Sequence, residues 1–257
     1  NETHSKSILE YIFKKYISGQ KSGTISLDDI YSILAIENNR EEEYSQVELT
    51  VSDFSDLVRM SAYPQNQKLR EKYQKTTDQA IKSAVLQEAY TQGDYIHLNI
   101  APTSQTNYRI QLNTLNNRNS LAVMKALYAK PQIANSAKFY ARSPQCNKPL
   151  KVDKVLIYLE SKNQVNAVAG LLENIEDLRI SDILPPFCVF AETFTKCIPF
   201  GIAYEEFPGE SSFTIERSKN VFEFLTGVNE NKTNITHSIR EELFSQYGKD
   251  PFGFVNS

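Results

Sequence analysis

Apolar residues recur at helical spacing through the first ninety positions, and then the spacing changes. Ile8, Tyr11, Ile12 and Tyr16 share one face of a helix predicted over 7–16, which Ser18-Gly19 can end. Ser26 suits the N-cap of a second helix, with Asp28 and Asp29 in the first turn, where the helix dipole favours negative charge. Leu27, Ile30, Tyr31 and Leu34 form its apolar stripe. A third helix is predicted over 53–62, ending before Pro64. A long fourth runs over 68–90 with Leu69, Tyr73, Ile81, Ala84 and Val85 inward, and Gly93 stops it.

From Asp94 the period is two. Tyr95, His97 and Asn99 alternate with Ile96, Leu98 and Ile100, and residues 108–112 alternate again, so the two stretches are predicted to form an antiparallel pair. A short helix over 120–128, capped by Asn119 or Ser120, closes before Pro131. Strands are predicted over 138–142 and 155–159, joined by a loop with Pro144, Cys146 and Pro149, and 164–172 is a helix of Val, Ala and Leu. After the Pro185-Pro186 break come one or two strands up to Glu206, then helices over 213–225 and 236–247. Helices followed by strands indicate an α+β fold: an N-terminal helical region over 1–93, then a mixed, mainly antiparallel sheet core with flanking helices over 94–257. The two stretches form either separate regions or one continuous domain.

Composition narrows the class. The chain has 257 residues, 40% hydrophobic and 23% charged, which excludes wholesale disorder and a disulfide-stapled miniprotein. Apolar runs such as 155–159 fall far short of the ~20 residues that span a bilayer. No signal segment is read at the start, because 1–6 is polar and 8–17 is interrupted by Glu10, Lys14 and Lys15, so a soluble protein without membrane contact is expected. With 28 basic against 31 acidic residues and a net charge of −3, no global field draws nucleic acid, although a local anion site is compatible. Cys146, Cys188 and Cys197 match no zinc spacing, and their odd number suits a reducing, cytoplasmic compartment. Neither GxxxxGK[ST] nor GxGxxG occurs, and no cofactor is expected. The stretch 18–29 has the outline of a calcium loop, but its early positions are Ser18, Gln20 and Ser22 and its last is the short Asp29, so no metal is expected there. The glycosylation sequons at Asn231 and Asn234 matter only in a secretory compartment.

Only three histidines, His4, His97 and His237, are available for acid–base chemistry by an imidazole. Only His97 lies within a strand, on the face it shares with Tyr95 and Asn99; taken alone, an exposed or structural role is its simpler reading.

Four stretches then fall in order: Ala137-Lys138-Phe139; Lys151-Val152-Asp153-Lys154-Val155-Leu156-Ile157-Tyr158; Pro199-Phe200-Gly201-Ile202-Ala203-Tyr204-Glu205-Glu206-Phe207-Pro208; and Ser211-Ser212-Phe213-Thr214-Ile215-Glu216-Arg217. Together they resemble the HopA-type family of bacterial type III effectors, which has lyase-like relatives in class V lanthipeptide and thioamitide biosynthesis. The likeness covers roughly 94–225. Two positions depart from the family pattern: Thr214 stands for its Gly, and Lys151 for its Arg, which keeps charge but loses the bidentate fork.

That resemblance implies the layout of a phosphothreonine lyase, which eliminates phosphate from phosphoserine or phosphothreonine and leaves a dehydroamino acid. On the resemblance Lys138 takes the base position, with Lys125 and Lys148 as alternatives should the strand alignment slip. His97 takes the acid position, and Lys151, Arg217, Arg142 and Tyr95 the phosphate- and substrate-binding positions, with Tyr95 standing where the lyases carry a Lys. A lysine base needs desolvation or a neighbouring cation to lower its pKa. Glu205 and Glu206 suit either orienting a Lys or Arg or receiving a basic leader peptide. The implied partners are a peptide or protein substrate, such as a precursor peptide, and a peptide-modifying kinase. The implied location is the bacterial cytoplasm, or outside it after secretion as an effector. The alternative is a non-catalytic peptide- or protein-binding effector module, or the partner subunit of such a kinase.

Overall fold

A computed structural model describes residues 26–37, 47–101, 105–181, 189–190, 200–204, 214–215, 218–219 and 222. The first described helix, α1 (Leu27–Ala35), starts at Ser26, whose hydroxyl accepts from the Asp29 N–H at 3.1 Å while the Asp29 carboxylate accepts from the Ser26 N–H at 2.9 Å. Thr50 and Asp53 repeat this reciprocal cap on α2 (Val51–Arg59). The long helix expected over 68–90 is two, α3 (Gln67–Gln74) and α4 (Gln79–Gln92). The break is made by side-chain acceptors: Thr76 Oγ1 takes the Asp78 N–H at 3.0 Å, and Asp78 Oδ1 takes the Ala80 N–H at 2.8 Å, so the backbone restarts instead of continuing. The rotation that follows leaves Ile81, expected inward, 51% exposed, and exposes Ala84 as well. Gly93, at φ +67°, ends α4 as expected.

The strands are β1 (Ile36–Glu37), β2 (Tyr63–Pro64), β3 (Asp94–Asn99), β4 (Tyr108–Leu112), β5 (Ser136–Ala141), β6 (Leu150–Lys151), β7 (Val155–Leu159), β8 (Val189–Phe190) and β9 (Gly201–Tyr204). Seven form one sheet in the order β2-β3-β5-β7-β4-β9-β8, and β1 pairs with β6 apart from it; every one of these pairings is antiparallel. The architecture is the expected α+β one. The predicted pairing of β3 with β4 does not occur. β3 lies between β2 and β5, and β4 between β7 and β9, because alternation fixes which face a residue takes and not which strand lies beside it. Helix α5 (Asn117–Tyr128) is capped by Asn116, earlier than the Asn119 or Ser120 expected, with the Asn116 side chain accepting from the Asn119 N–H at 2.9 Å. Helix α6 (Lys162–Glu173) starts at Ser161.

One face of the sheet carries Ile96, Leu98, Ile110, Leu112, Phe139, Val155, Ile157 and Leu159, all 0% exposed. They form one core with Phe54 and Leu57 of α2, Leu86 and Ala89 of α4, Leu121, Val123 and Met124 of α5, and Val165 and Val168 of α6. Full burial of side chains of this size is worth about 1.5–3 kcal/mol each, which fixes the register and hence the opposite face. That face holds a small separate cluster of Tyr95, Tyr140 and Leu156, with Tyr158 packed against it. The helices expected over 7–16 and 236–247 and the Pro185-Pro186 break lie outside the described residues. Of 213–225, positions 214–215, 218–219 and 222 are described, as helix.

Candidate functional site

Register brings the chemistry together. Opposite His97 on β3 lies Lys138 on β5, and on its other side Tyr63 of β2, so the three form one row across the sheet. The Tyr63 ring stacks on the imidazole with centroids 5.4 Å apart and planes 16° from parallel, and the Arg70 guanidinium lies 4.9 Å from the Tyr63 centroid. Gln65, just after β2, is tied down by its own N–H, which donates to the Tyr95 carbonyl at 2.7 Å. Its side-chain oxygen lies 3.2 Å from Lys138 Nζ, which donates to it, and 3.0 Å from His97 Nε2.

The second half of the site is aromatic. Tyr95 is opposite Tyr140, so Lys138 is its diagonal neighbour, and Lys138 Nζ sits 4.6 Å from the Tyr95 centroid. Lys151 on β6 brings Nζ to 4.9 Å from the same centroid and 5.4 Å from that of Tyr140. The faces of both rings attract ammonium groups. The Tyr95 hydroxyl donates to Asp153, with 3.1 Å to Oδ1 and 3.2 Å to the carbonyl. Arg109 of β4, 4% exposed, stacks its guanidinium 4.9 Å from the Tyr158 centroid on this same face.

These surroundings set the charges. Burial brings Lys138 down to about 8, helped by the positive charges of Arg109 and Lys151 and opposed by Asp153 and Asp94. Burial, then Lys138 and Arg70, lowers His97 to about 3, so its imidazole is neutral at pH 7. Asp153 is raised by burial against the pull of Lys151, the Tyr95 hydrogen bond and Lys138. The Tyr95 phenol is held well above its usual range by burial and by the Asp153 charge, and stays protonated. The result is an amine poised near neutrality, a second ammonium beside it, and a neutral imidazole directly across the ladder. Such a set can hold an oxyanion, and its amine can take a proton.

Four of the six site residues expected from sequence therefore meet: His97, Lys138, Lys151 and Tyr95. Arg142 lies just past the end of β5, 4% exposed; its Nε donates to the Lys148 carbonyl at 2.5 Å and its N–H to Asn117 Oδ1 at 3.4 Å, so it braces the 143–149 loop. Of the alternative lysines, Lys148 donates to the Gly93 carbonyl at 2.9 Å and Lys125 pairs with Asp56 at 2.6 Å. Arg217, Glu205 and Glu206 lie outside the described residues.

Sequence reading missed Gln65 and Arg109, and quoted Asp153 only within the stretch 151–158. Arg109 did leave a signal, since Arg109 and Gln111 alternate with Ile110 and Leu112 and so share the polar face. Gln65 left none.

Fold and site together define an α+β protein with a cationic, aromatic-lined site on the face of the sheet opposite α2, α4, α5 and α6. Proteins of this fold have been solved among bacterial effectors. The chain is similar to the structure of the effector protein from Pseudomonas syringae pv. tomato strain DC3000, with a TM-score of 0.61 at 11% identity over 97% of this chain and 96% of that one. It is equally similar to the structure of the effector protein from Pseudomonas syringae pv. syringae strain 61, with a TM-score of 0.60 at 12% identity over 98% and 96%. At these identities the likeness is one of fold. No family model matches the sequence, and no curated protein is similar to it in sequence. Among the described residues, no helix is long and apolar enough to cross a membrane.

Proposed function

We propose that this chain is an effector-type protein that binds a phosphorylated segment of a peptide or protein at the Lys138–Lys151 site. The observation that carries the reading is the pair of ammonium groups over the single Tyr95 ring. The charge of Lys151 disfavours that of Lys138, and an incoming dianion relieves the repulsion. The effector fold supports the setting, and the sequence resemblance supports a peptide, such as a precursor peptide or the client of a partner kinase, as ligand. Its place of action on this reading is the cytoplasm of a bacterium or, after secretion, outside it.

One observation favours catalysis as a second reading. Lys138, lowered to about 8, is partly neutral near physiological pH and lies across from His97. A neutral Lys138 amine would take the α-proton of a phosphoserine or phosphothreonine. The electron pair would form the Cα=Cβ bond, and the Cβ–O bond would break with loss of phosphate, leaving a dehydroamino acid.

A phosphopeptide titration followed by mass spectrometry tests both. Saturable binding that Lys151→Met weakens at least tenfold supports the receptor reading. Added loss of one phosphoric acid, with a product that reacts with thiols, supports elimination. Equal affinity for phosphorylated and unphosphorylated peptide would overturn both readings.

A further inference from the structure

Gln65 presents one oxygen to two groups of different character. Lys138, when charged, has only hydrogens to offer, so at 3.2 Å it requires the carbonyl end of the Gln65 amide and not its NH2. That fixes the orientation of the amide. The same oxygen can only accept, so at 3.0 Å it requires a hydrogen on His97 Nε2. His97 is neutral here and carries one ring hydrogen, and placing it on Nε2 leaves Nδ1 bare. Tyr63 stacked on the ring, with its backbone opposite His97 in the ladder, keeps the imidazole from turning away.

We propose that Gln65 is the positioning residue of this site, and that through one side-chain amide it couples the tautomer of His97 to the charge of Lys138. When Lys138 loses its proton, its nitrogen gains a lone pair. The amide can then turn over and offer its NH2 to both neighbours, with one hydrogen to Lys138 Nζ and one to His97 Nε2. The His97 hydrogen accordingly moves to Nδ1 by exchange with water. Two arrangements are each fully hydrogen-bonded: ammonium, carbonyl and Nε2–H, or amine, NH2 and Nδ1–H. An ammonium facing the NH2 end would clash, so charged Lys138 locks the first arrangement; the amine can donate or accept and so releases the amide to turn. The charged neighbours that bias it are Arg109, Lys151, Asp153 and Asp94 around Lys138, and Arg70 together with Lys138 around His97. The imidazole hydrogen is thus locked on Nε2 while Lys138 is a cation suited to hold an anion, and is free to move to Nδ1 once Lys138 is an amine suited to accept a proton.

The inference concerns the site of the proposed function but stands on hydrogen-bond geometry. Its test therefore reads the free protein and fails separately from the phosphopeptide assay. Long-range proton–nitrogen spectra of uniformly 15N-labelled protein report the tautomer of each histidine, with His97 assigned against His97→Gln. Between pH 6 and 10 the wild type should pass from Nε2–H to Nδ1–H with a midpoint near 8, although the ring never becomes charged. The step should vanish in Gln65→Ala and in Lys138→Met. Gln65→Glu, which accepts in both orientations, should hold His97 as Nε2–H throughout and move the Lys138 titration upward. A wild-type tautomer that does not change over this range overturns the proposal without any variant having to fold, and so does a step that persists in Gln65→Ala.

Discussion

Lys138 and Tyr95 lie diagonally across the β3–β5 ladder, and the ammonium of one is 4.6 Å from the ring centre of the other. The resemblance to lyases marks Tyr95 as the loss of a phosphate-binding lysine. The structure gives the substituted residue a different use: it is the platform on which Lys138 and Lys151 both rest, and its hydroxyl is tied to Asp153.

Separating ring from hydroxyl tests that relationship. Tyr95→Phe keeps the platform and removes the hydrogen bond that its hydroxyl donates to Asp153, which should lower unfolding free energy by about 1–3 kcal/mol in urea melts. Phosphopeptide affinity should then stay within about twofold, whereas Tyr95→Leu should cost about 5- to 30-fold, the worth of about 1–2 kcal/mol of cation–π attraction. Equal affinities for the Phe and Leu variants would remove the ring from the site.

The lowered proton affinity of Lys138 has a direct chemical readout. Titrating near 8, it is about half amine at pH 8, while an ordinary lysine is under about 1% amine there. Brief acylation at pH 8 followed by peptide mass spectrometry should therefore mark Lys138 ahead of surface lysines, and inorganic phosphate should slow the marking. Labelling no faster than that of the surface lysines would show that its neighbours do not perturb it.

His97 carries a stability signature of definite sign. Its folded pKa of about 3 lies below the unfolded value near 6.5, so between those limits the unfolded chain binds more protons. Stability from this residue rises with pH across that window, and its penalty is complete below about pH 3. The melting temperature of the wild type should fall more steeply from pH 6.5 to 4 than that of His97→Gln. Parallel curves would contradict the buried, cation-flanked setting.

Gly93 is held in place by two independent constraints. Its φ is +67°, and a Cβ there would sit 2.8 Å from Cys146 Sγ and 3.0 Å from the Tyr140 hydroxyl oxygen. Gly93→Ala should cost about 1–3 kcal/mol of unfolding free energy. Adding Cys146→Ala should recover the Cys146 part and leave the Tyr140 contact and the backbone part. No recovery in the double variant would assign the whole cost to φ and the Tyr140 contact.

Local features were legible in the sequence where one residue type does one local job. Ser26 as a cap, Gly93 as a stop, and the split of β3 into an Ile96–Leu98 face and a Tyr95–His97 face all follow from short-range chemistry. Partners were not legible. Nothing local distinguishes β5 from β4 as the neighbour of β3, because both alternate equally well. The break between α3 and α4 was written in Thr76 and Asp78, but the helical period on either side masked it. His97, Lys138 and Lys151 came from a resemblance and from alternation. Gln65 became visible only once β2 was placed beside β3, since a glutamine after a Tyr-Pro dipeptide has no signature of its own.

The short ladder between β1 and β6 ties the site to a distant stretch of the chain. Lys151 sits opposite Ile36, more than a hundred residues away along the chain, and the Val152 N–H donates to the Ala35 carbonyl at 3.0 Å beside it. Closing a loop of that length carries a large entropic cost, and a two-residue ladder repays little of it until the central sheet already stands. Lys138 and Tyr95 lie on adjacent strands of that sheet, whereas Lys151 lies on the strand that pairs with the segment following α1. The two cations are therefore carried by two separate ladders, the central sheet for Lys138 and the short one for Lys151.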